Sequence, residues 1–499
     1  MSAIWRYQAL LTATIVIAVA SARASRIDSL PKVVPAEEAR TSYAGDGNLE
    51  RTYDNYHLFV AHIDNEHQKE DLKRLEKQLP VLDFWNPVFV SRNVSILAPP
   101  KVSKQVESNL KKLSVAYTVA SSNIQSWINH EKDENRQQNL FLIGGDPSRF
   151  SLTQYHTYDE ISAYLDAVAN RYPDVAQISN IGTTYEGRHI KGLKITSGGG
   201  NKPVIWIDSG IHAREWIAPA SSLYIINKLV SGATTDPTVR ALLSAYDFHV
   251  YPLLNADGYE RTWNGDRMWR KNRVRFQGYS CQGVDPNRNF GYDFGGSGTS
   301  SDVCSEIYRG PHAFSELESQ AVRDGVQALG SRVKMFLTVH SFSQLIMLPY
   351  GSGPRIQSRF YNDQLQVARA GQRSISASSG LHYKVGTVQQ LLSASAGAAA
   401  DWAHESAGIK YAYAIELRDR GQFGFLLPAS QITPTGEEWY QAVAAMVDEM
   451  AHKETGQRVL KGTTQPGGSA AGGTHVVQGG GGNQIGQFPA LPNWPPRWG

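Results

Sequence analysis

Cysteine is scarce in this 499-residue chain: only Cys281 and Cys304 occur, so at most one bridge can form. A charge imbalance is missing too. Forty-nine Lys and Arg stand against 46 Asp and Glu, a formal net charge of +3. No run of like charges is long enough to act as a polyanion-binding arm, so nucleic acid is not an expected partner. Long apolar runs are nearly absent. The one candidate, Ala9–Ala20, is short for a bilayer span. It follows Trp5-Arg6-Tyr7 and precedes the small-x-small pattern Ala22-Arg23-Ala24, which reads as a secretory signal over residues 1–24. With no later span, no membrane association is expected, and the mature chain should be secreted and soluble. In that oxidising setting the two cysteines are expected to pair, for roughly 3 kcal/mol by loop entropy. The end of the chain lacks apolar anchors. Residues 455–499 are Gly-rich, with the run Gly479–Gly482, and read as a disordered tail.

What is present divides in two. From Tyr56 the chain alternates as a strand, and Glu66–Leu79 is charged and amphipathic, hence helical. Val81–Trp85 and Asn93–Leu97 read as strands, Val102–Leu113 as a helix, and Ala116–Ala120 as a strand. The order β-α-β-β-α-β predicts a ferredoxin-like α+β unit over about 53–121. Glu131–Gln138, charged and amide-rich, reads as a connector. From about Tyr155 to Glu454, continuous apolar strands alternate with helices. The strands are Val204–Ile207, Phe248–Leu253, Met335–Val339 and Tyr411–Ile415; Ser315–Leu329 and Gly436–His452 are among the helices. This predicts an α/β domain with a mixed, mostly parallel sheet covered by helices.

Chemistry concentrates at strand ends. His212 and Glu215, in Ile211-His212-Ala213-Arg214-Glu215-Trp216, are three apart and face the same way on a helical turn. An imidazole and a carboxylate suit zinc, although His-x-x-Glu also occurs as a surface ion pair. His340 ends another strand and supplies the third ligand that an open catalytic zinc site needs. Asp285 is a candidate acceptor for a ligand histidine. Glu416 follows the strand Tyr411–Ile415 and is a candidate general base, or else a partner of Arg418. Arg270, Asn287 and Arg288 could clamp a carboxylate, since arginine holds one through two parallel hydrogen bonds.

With these motifs in order, Tyr155–Glu454 resembles the carboxypeptidase A/B family of zinc metallocarboxypeptidases. The resemblance rests on His212-Ala213-Arg214-Glu215-Trp216, Trp269-Arg270-Lys271, Asp285-Pro286-Asn287-Arg288-Asn289, His340-Ser341-Phe342-Ser343-Gln344, Glu416-Leu417-Arg418-Asp419 and Gly424–Ser430. It implies one zinc ion held by His212, Glu215 and His340, with Glu416 as base and Arg270 polarising the scissile carbonyl. It implies that Asn287 and Arg288 hold the substrate's terminal carboxylate, with Arg214 assisting. It places a disulfide at Cys281 and Cys304. The N-terminal unit is similar to the family's activation propeptide, which implies an activating protease. The expected division is a signal at 1–24, a propeptide at 25–149, a catalytic domain at 150–454 and the tail at 455–499. The expected partners are peptide or protein C-termini, met by a monomer.

Two positions depart from the family. Its mobile capping tyrosine is replaced by Ser393, and a second tyrosine by Phe342. Weaker substrate binding is expected from the missing phenol, and a catalytically weak relative that binds peptide C-termini is the alternative. The specificity pocket maps to Ala400, Val388, Leu392 and Ala414. None is acidic, so an apolar or aromatic C-terminal residue is expected, because an unpaired Lys or Arg is costly to desolvate. A zinc amidohydrolase of acyl-amino acids would use the same metal set, without the Asn287/Arg288 clamp or the propeptide. Arg136 and Arg149 are candidate activation sites. Asn93-Val94-Ser95 is the one N-glycosylation signal.

Overall fold

The computed structural model describes residues 50–136, 147–353 and 357–460. The expected signal at 1–24, and the tail beyond 460, lie outside these residues.

The N-terminal unit follows the expected order. Strand β1 (His57–Ile63) leads to a helix, Glu66–Gln78, that starts where the Asn65 side chain accepts from the Gln68 amide. After β2 (Asp83–Phe84) and β3 (Arg92–Ala98), the helix Pro100–Lys112 presents Val102, Val106 and Leu110 inward, and β4 (Ala116–Ser121) closes the sheet. The sheet order is β2-β3-β1-β4, antiparallel throughout, over a core that includes Phe59, Leu72, Val94 and Ile96.

Within the expected connector, residues 131–136 are helical. Ile124–Arg136 forms a helix in which Ile124 and Ile128 are buried. The apolar anchors lie just upstream of the charged window, and Glu131 within it is buried against Arg267, 136 positions away. A local composition reading has no access to that partner.

The larger unit carries an eight-stranded sheet. Its strands are β5 (Ala176–Thr183), β6 (His189–Ile195), β7 (Val204–Ser209), β8 (Asp247–Tyr251), β9 (Val333–His340), β10 (Leu345–Leu348), β11 (Lys384–Thr387) and β12 (Tyr411–Glu416). They are ordered β11-β10-β12-β9-β7-β8-β6-β5. The centre, β12-β9-β7-β8, is parallel, and its residues are almost wholly buried, as expected of strands covered on both faces. β6 and β10 run antiparallel to their inner neighbours. On one face pack the helices Ile217–Gly232, Tyr361–Ser379 and Ile432–Thr455; on the other lie Leu317–Leu329 and Ala399–Glu405. Cys281 and Cys304 form a disulfide.

The two units share a cluster of their own. Tyr53, Leu58, Trp85, Leu97, Ile124 and Ile128 from the N-terminal side meet Met268, Phe342, Phe425 and Leu426.

Candidate active site

Three adjacent parallel strands deliver the central residues at their carboxyl ends, where open α/β sheets bind ligands. β9 ends at His340, and β12 places Glu416 directly beside it in register. β7 ends at Ser209, and the chain turns at Gly210, whose φ of +66° and closeness to Leu253 exclude a larger residue. That turn swings His212 over the sheet edge. His212 and Glu215 sit on an irregular turn before the helix Ile217–Gly232, rather than inside a helix.

Ligand atoms of His212, Glu215 and His340 all lie within 4.8 Å of one another, and all three residues are buried. His212 Nδ1 is 2.8 Å from Glu215 Oε1; His340 Nδ1 is 3.1 Å from Glu215 Oε2 and 3.2 Å from His212 Nδ1. Tetrahedral zinc with bonds of about 2.0–2.1 Å sets its ligand atoms about 3.3 Å apart, so this donor set fits zinc. The far nitrogen of His212 lies 3.2 Å from Asp285 Oδ1, which fixes the ring with Nδ1 facing inward. Burial alone would raise the Glu215 carboxyl, but the two imidazoles hold it below the usual range. Asp285 is likewise held well below, against its burial, chiefly by Arg270 and His212.

Glu416 is in a different state. Burial and the Glu215 carboxylate push it well above the ordinary carboxylate range, with Arg270 opposing. Its Oε2 is buried without a hydrogen-bond partner. Arg418, the alternative partner from sequence, pairs with Glu438 instead. Arg270 donates to Asp285 Oδ2 from Nη2 at 2.8 Å and from Nε at 3.2 Å, and its Nη1 lies 3.9 Å from Glu215. Asn287 accepts from the Ala399 amide at 2.9 Å. Arg288 is tethered to the carbonyls of Gly298 and Asn287, both at 2.9 Å. Ala400, Val388 and Ala414 are buried together with Leu345, Met347 and Leu391, and Leu392 packs against them. None of the four expected specificity positions is acidic. Ser393 is exposed on the adjoining loop.

Arg214 is engaged by the N-terminal unit. Its Nη1 donates to Asp83 Oδ2 at 2.8 Å, and its guanidinium lies 4.2 Å from the Phe425 ring centre. Trp85 packs on Phe342 and Phe425. Sequence reasoning missed Asp83, Trp85, Glu131 and Arg267. Asp83 and Arg214 are 131 positions apart, and nothing local marks either as a partner of the other.

Comparison with known proteins agrees with this geometry. The zinc carboxypeptidase profile matches residues 161–442, and the carboxypeptidase activation peptide profile matches residues 59–131. Carboxypeptidase B of Astacus astacus is 44% identical over 297 residues, 59% of this chain and 97% of the relative. Carboxypeptidase A2 of Mus musculus is 38% identical over 391 residues, 77% of this chain and 91% of the relative. The crystal structure of carboxypeptidase A from Helicoverpa armigera superposes with a TM-score of 0.72 at 30% identity, covering 80% of this chain and 98% of that one. The chain therefore belongs to the zinc carboxypeptidase family, as a metallocarboxypeptidase carrying its own activation peptide.

Proposed function

We propose that this protein is a secreted exopeptidase that hydrolyses the C-terminal peptide bond and prefers apolar or aromatic C-terminal residues. One observation carries the reading: a preassembled His212/Glu215/His340 donor set lies beside Glu416, a buried carboxylate with an unpartnered oxygen. His212, Glu215 and His340 would hold zinc, which when bound would supply Lewis acidity to a carbonyl oxygen and to water. Glu416 takes the proton of the attacking water and passes it to the leaving amine nitrogen. Burial raises the Glu416 carboxyl, which favours its holding the proton between the two transfers. Arg270 donates to the carbonyl oxygen as it gains negative charge. Asn287 and Arg288 hold the terminal carboxylate, and Arg214 binds upstream on the peptide once Asp83 has left.

The relatives named above include both A-type and B-type carboxypeptidases. The apolar side chains at Ala400, Val388, Leu392 and Ala414 favour an apolar substrate side chain over a basic one. Secretion is supported by the N-terminal sequence and by the Cys281–Cys304 bridge. The proposed division is a signal at 1–24, a propeptide at 25–149, a catalytic domain at 150–454 and a tail at 455–499. Exposed Arg149, in the turn Pro147–Arg149, is the proposed cleavage point for an activating protease. A single chain supplies every group named, so the active species is proposed to be a monomer.

The test is release of free amino acid from blocked dipeptides ending in Phe, Leu or Lys, after limited trypsin, with and without a chelator. Chelator-sensitive release from the Phe and Leu substrates is expected. Zinc binding with no release from any substrate would instead favour a weak relative that binds peptide ends, the reading that Ser393 motivates.

A further inference from the structure

Beside the proposed specificity pocket, with which it shares Leu392, a cavity of about 190 Å³ lies between the N-terminal unit and the catalytic unit. Its lining brings together Arg92 from β3, Lys384 from β11 and Arg420 from the loop after β12, with His62 nearby and no carboxylate among the lining residues. The acid recorded near His62 is Asp64, at 3.6 Å. Two of the cations are fixed in place. Arg92 Nη1 donates to the carbonyl of Leu391, and Arg420 Nη2 donates to that of His382. Each guanidinium keeps further donors free for another acceptor. Among the described residues the Lys384 ammonium has no acidic partner. Partial burial, then the charges of Arg92 and Arg420, lower its pKa.

A second observation is independent of charge. Gln344 also lines this cavity and is only 5% exposed, and its side-chain amide nitrogen, closed off from solvent, has no hydrogen-bond partner among the described residues. A buried donor left unpaired is costly, and each such group in a folded protein calls for an acceptor. Three cations that repel one another around an orphaned donor are complementary to one ligand chemistry, a compact group with several negative oxygens.

We propose that this cavity binds a tetrahedral oxyanion, a sulfate or phosphate group, either free or carried on a sugar. Arg92 belongs to the activation peptide, whereas Lys384, Arg420 and Gln344 belong to the catalytic unit. The bound anion therefore bridges the two and stabilises their docked state by mass action. Its consequence is slower loss of the activation peptide after cleavage.

The experiment uses the full-length zymogen and the Lys384→Gln/Arg420→Gln variant, whose far-UV spectrum and anion-free Tm should match the wild type. Inorganic sulfate is titrated at constant ionic strength with chloride as the balancing ion, and binding is followed by calorimetry and by Tm. Saturable binding and a Tm rise of about 3 °C are expected for the wild type. At least a tenfold weaker response is expected for the variant. A second arm replaces inorganic sulfate with a sulfated disaccharide. Tighter binding of the sugar identifies a glycan as the source, and equal binding identifies the free anion. A third arm follows trypsin-triggered release of the activation peptide, which sulfate should slow in the wild type alone. If the anion-free Tm of the double variant is lowered, Lys384→Gln alone is compared in the calorimetric arm. Absence of saturable binding to either probe, or equal binding by wild type and variant, overturns the proposal.

Discussion

Glu131 and Arg267 form a buried ion pair between the activation peptide and the catalytic unit, with side chains 8% and 2% exposed. The contact is bidentate, at 2.6 and 3.0 Å. Arg267 also donates to the carbonyls of Phe425 and Arg214, and its guanidinium lies 3.7 Å from the Trp216 ring centre. It cannot leave this place without breaking those contacts. Glu131→Ala therefore strands a buried cation, and removing one partner of such a pair costs about 3–5 kcal/mol. Water can enter the space vacated at the helix surface, so the lower end applies. About 3 kcal/mol corresponds to roughly a 100-fold rise in the undocked fraction of the zymogen. The assay is hydrolysis of a small C-terminal substrate by uncut zymogen, expressed as a fraction of the rate after complete activation of the same batch. That fraction should rise about 100-fold, or until it saturates. The N-terminal unit has its own core around Phe59, Leu72 and Val94, so it should stay folded. The double variant Glu131→Ala/Arg267→Met should recover most of the latency, because an apolar replacement of a buried pair is close to neutral. A leak within twofold of wild type in Glu131→Ala would refute the reasoning.

Four further outcomes are expected. His340→Ala should lose most bound zinc and most hydrolysis, and stoichiometric zinc measured in that variant would contradict the ligand assignment. Glu416→Gln should keep zinc while turnover falls by roughly 10²–10⁴-fold; near-normal turnover would move the base elsewhere. Ser393→Tyr should lower KM for peptides ending in Phe or Leu by about tenfold, with less change in kcat, because a hydrogen bond to a charged group is worth about 1.5–3 kcal/mol. Glu318 is pushed up to about 8 by burial, with Asn272 donating to it at 3.0 Å. Its folded-state pKa is raised, so its contribution is complete below the unfolded value near 4.5 and is lost as pH climbs through 8, by up to about 1.4 kcal/mol per pH unit. Glu318→Gln should therefore gain stability relative to wild type in denaturant melts between pH 5 and 9, and parallel pH profiles would contradict this.

Much of the candidate site was legible because its residues sit at sheet positions that sequence can mark. His340 and Glu416 each end an apolar run, and His212 follows one, so position reinforced residue type. The ferredoxin-like unit was legible because its helices are amphipathic and its strands short and bounded. The edges of the large sheet were harder to read. β5 and β6 mix exposed and buried residues without a clean apolar run, and they were not marked. The helix Ile124–Arg136 was misread because its charged half is stabilised by Arg267 rather than by its own composition. Contacts of this kind, Asp83 with Arg214 and Trp85 with Phe342, exist only after two separate units have docked.

The proposed ligands and base come from two strand ends of one sheet and the turn after a third, and the activation peptide supplies none of them. The candidate donor set is thus complete before activation. The uncut zymogen should therefore already be able to take up zinc, and the cut enzyme would inherit a site that cleavage did not have to build.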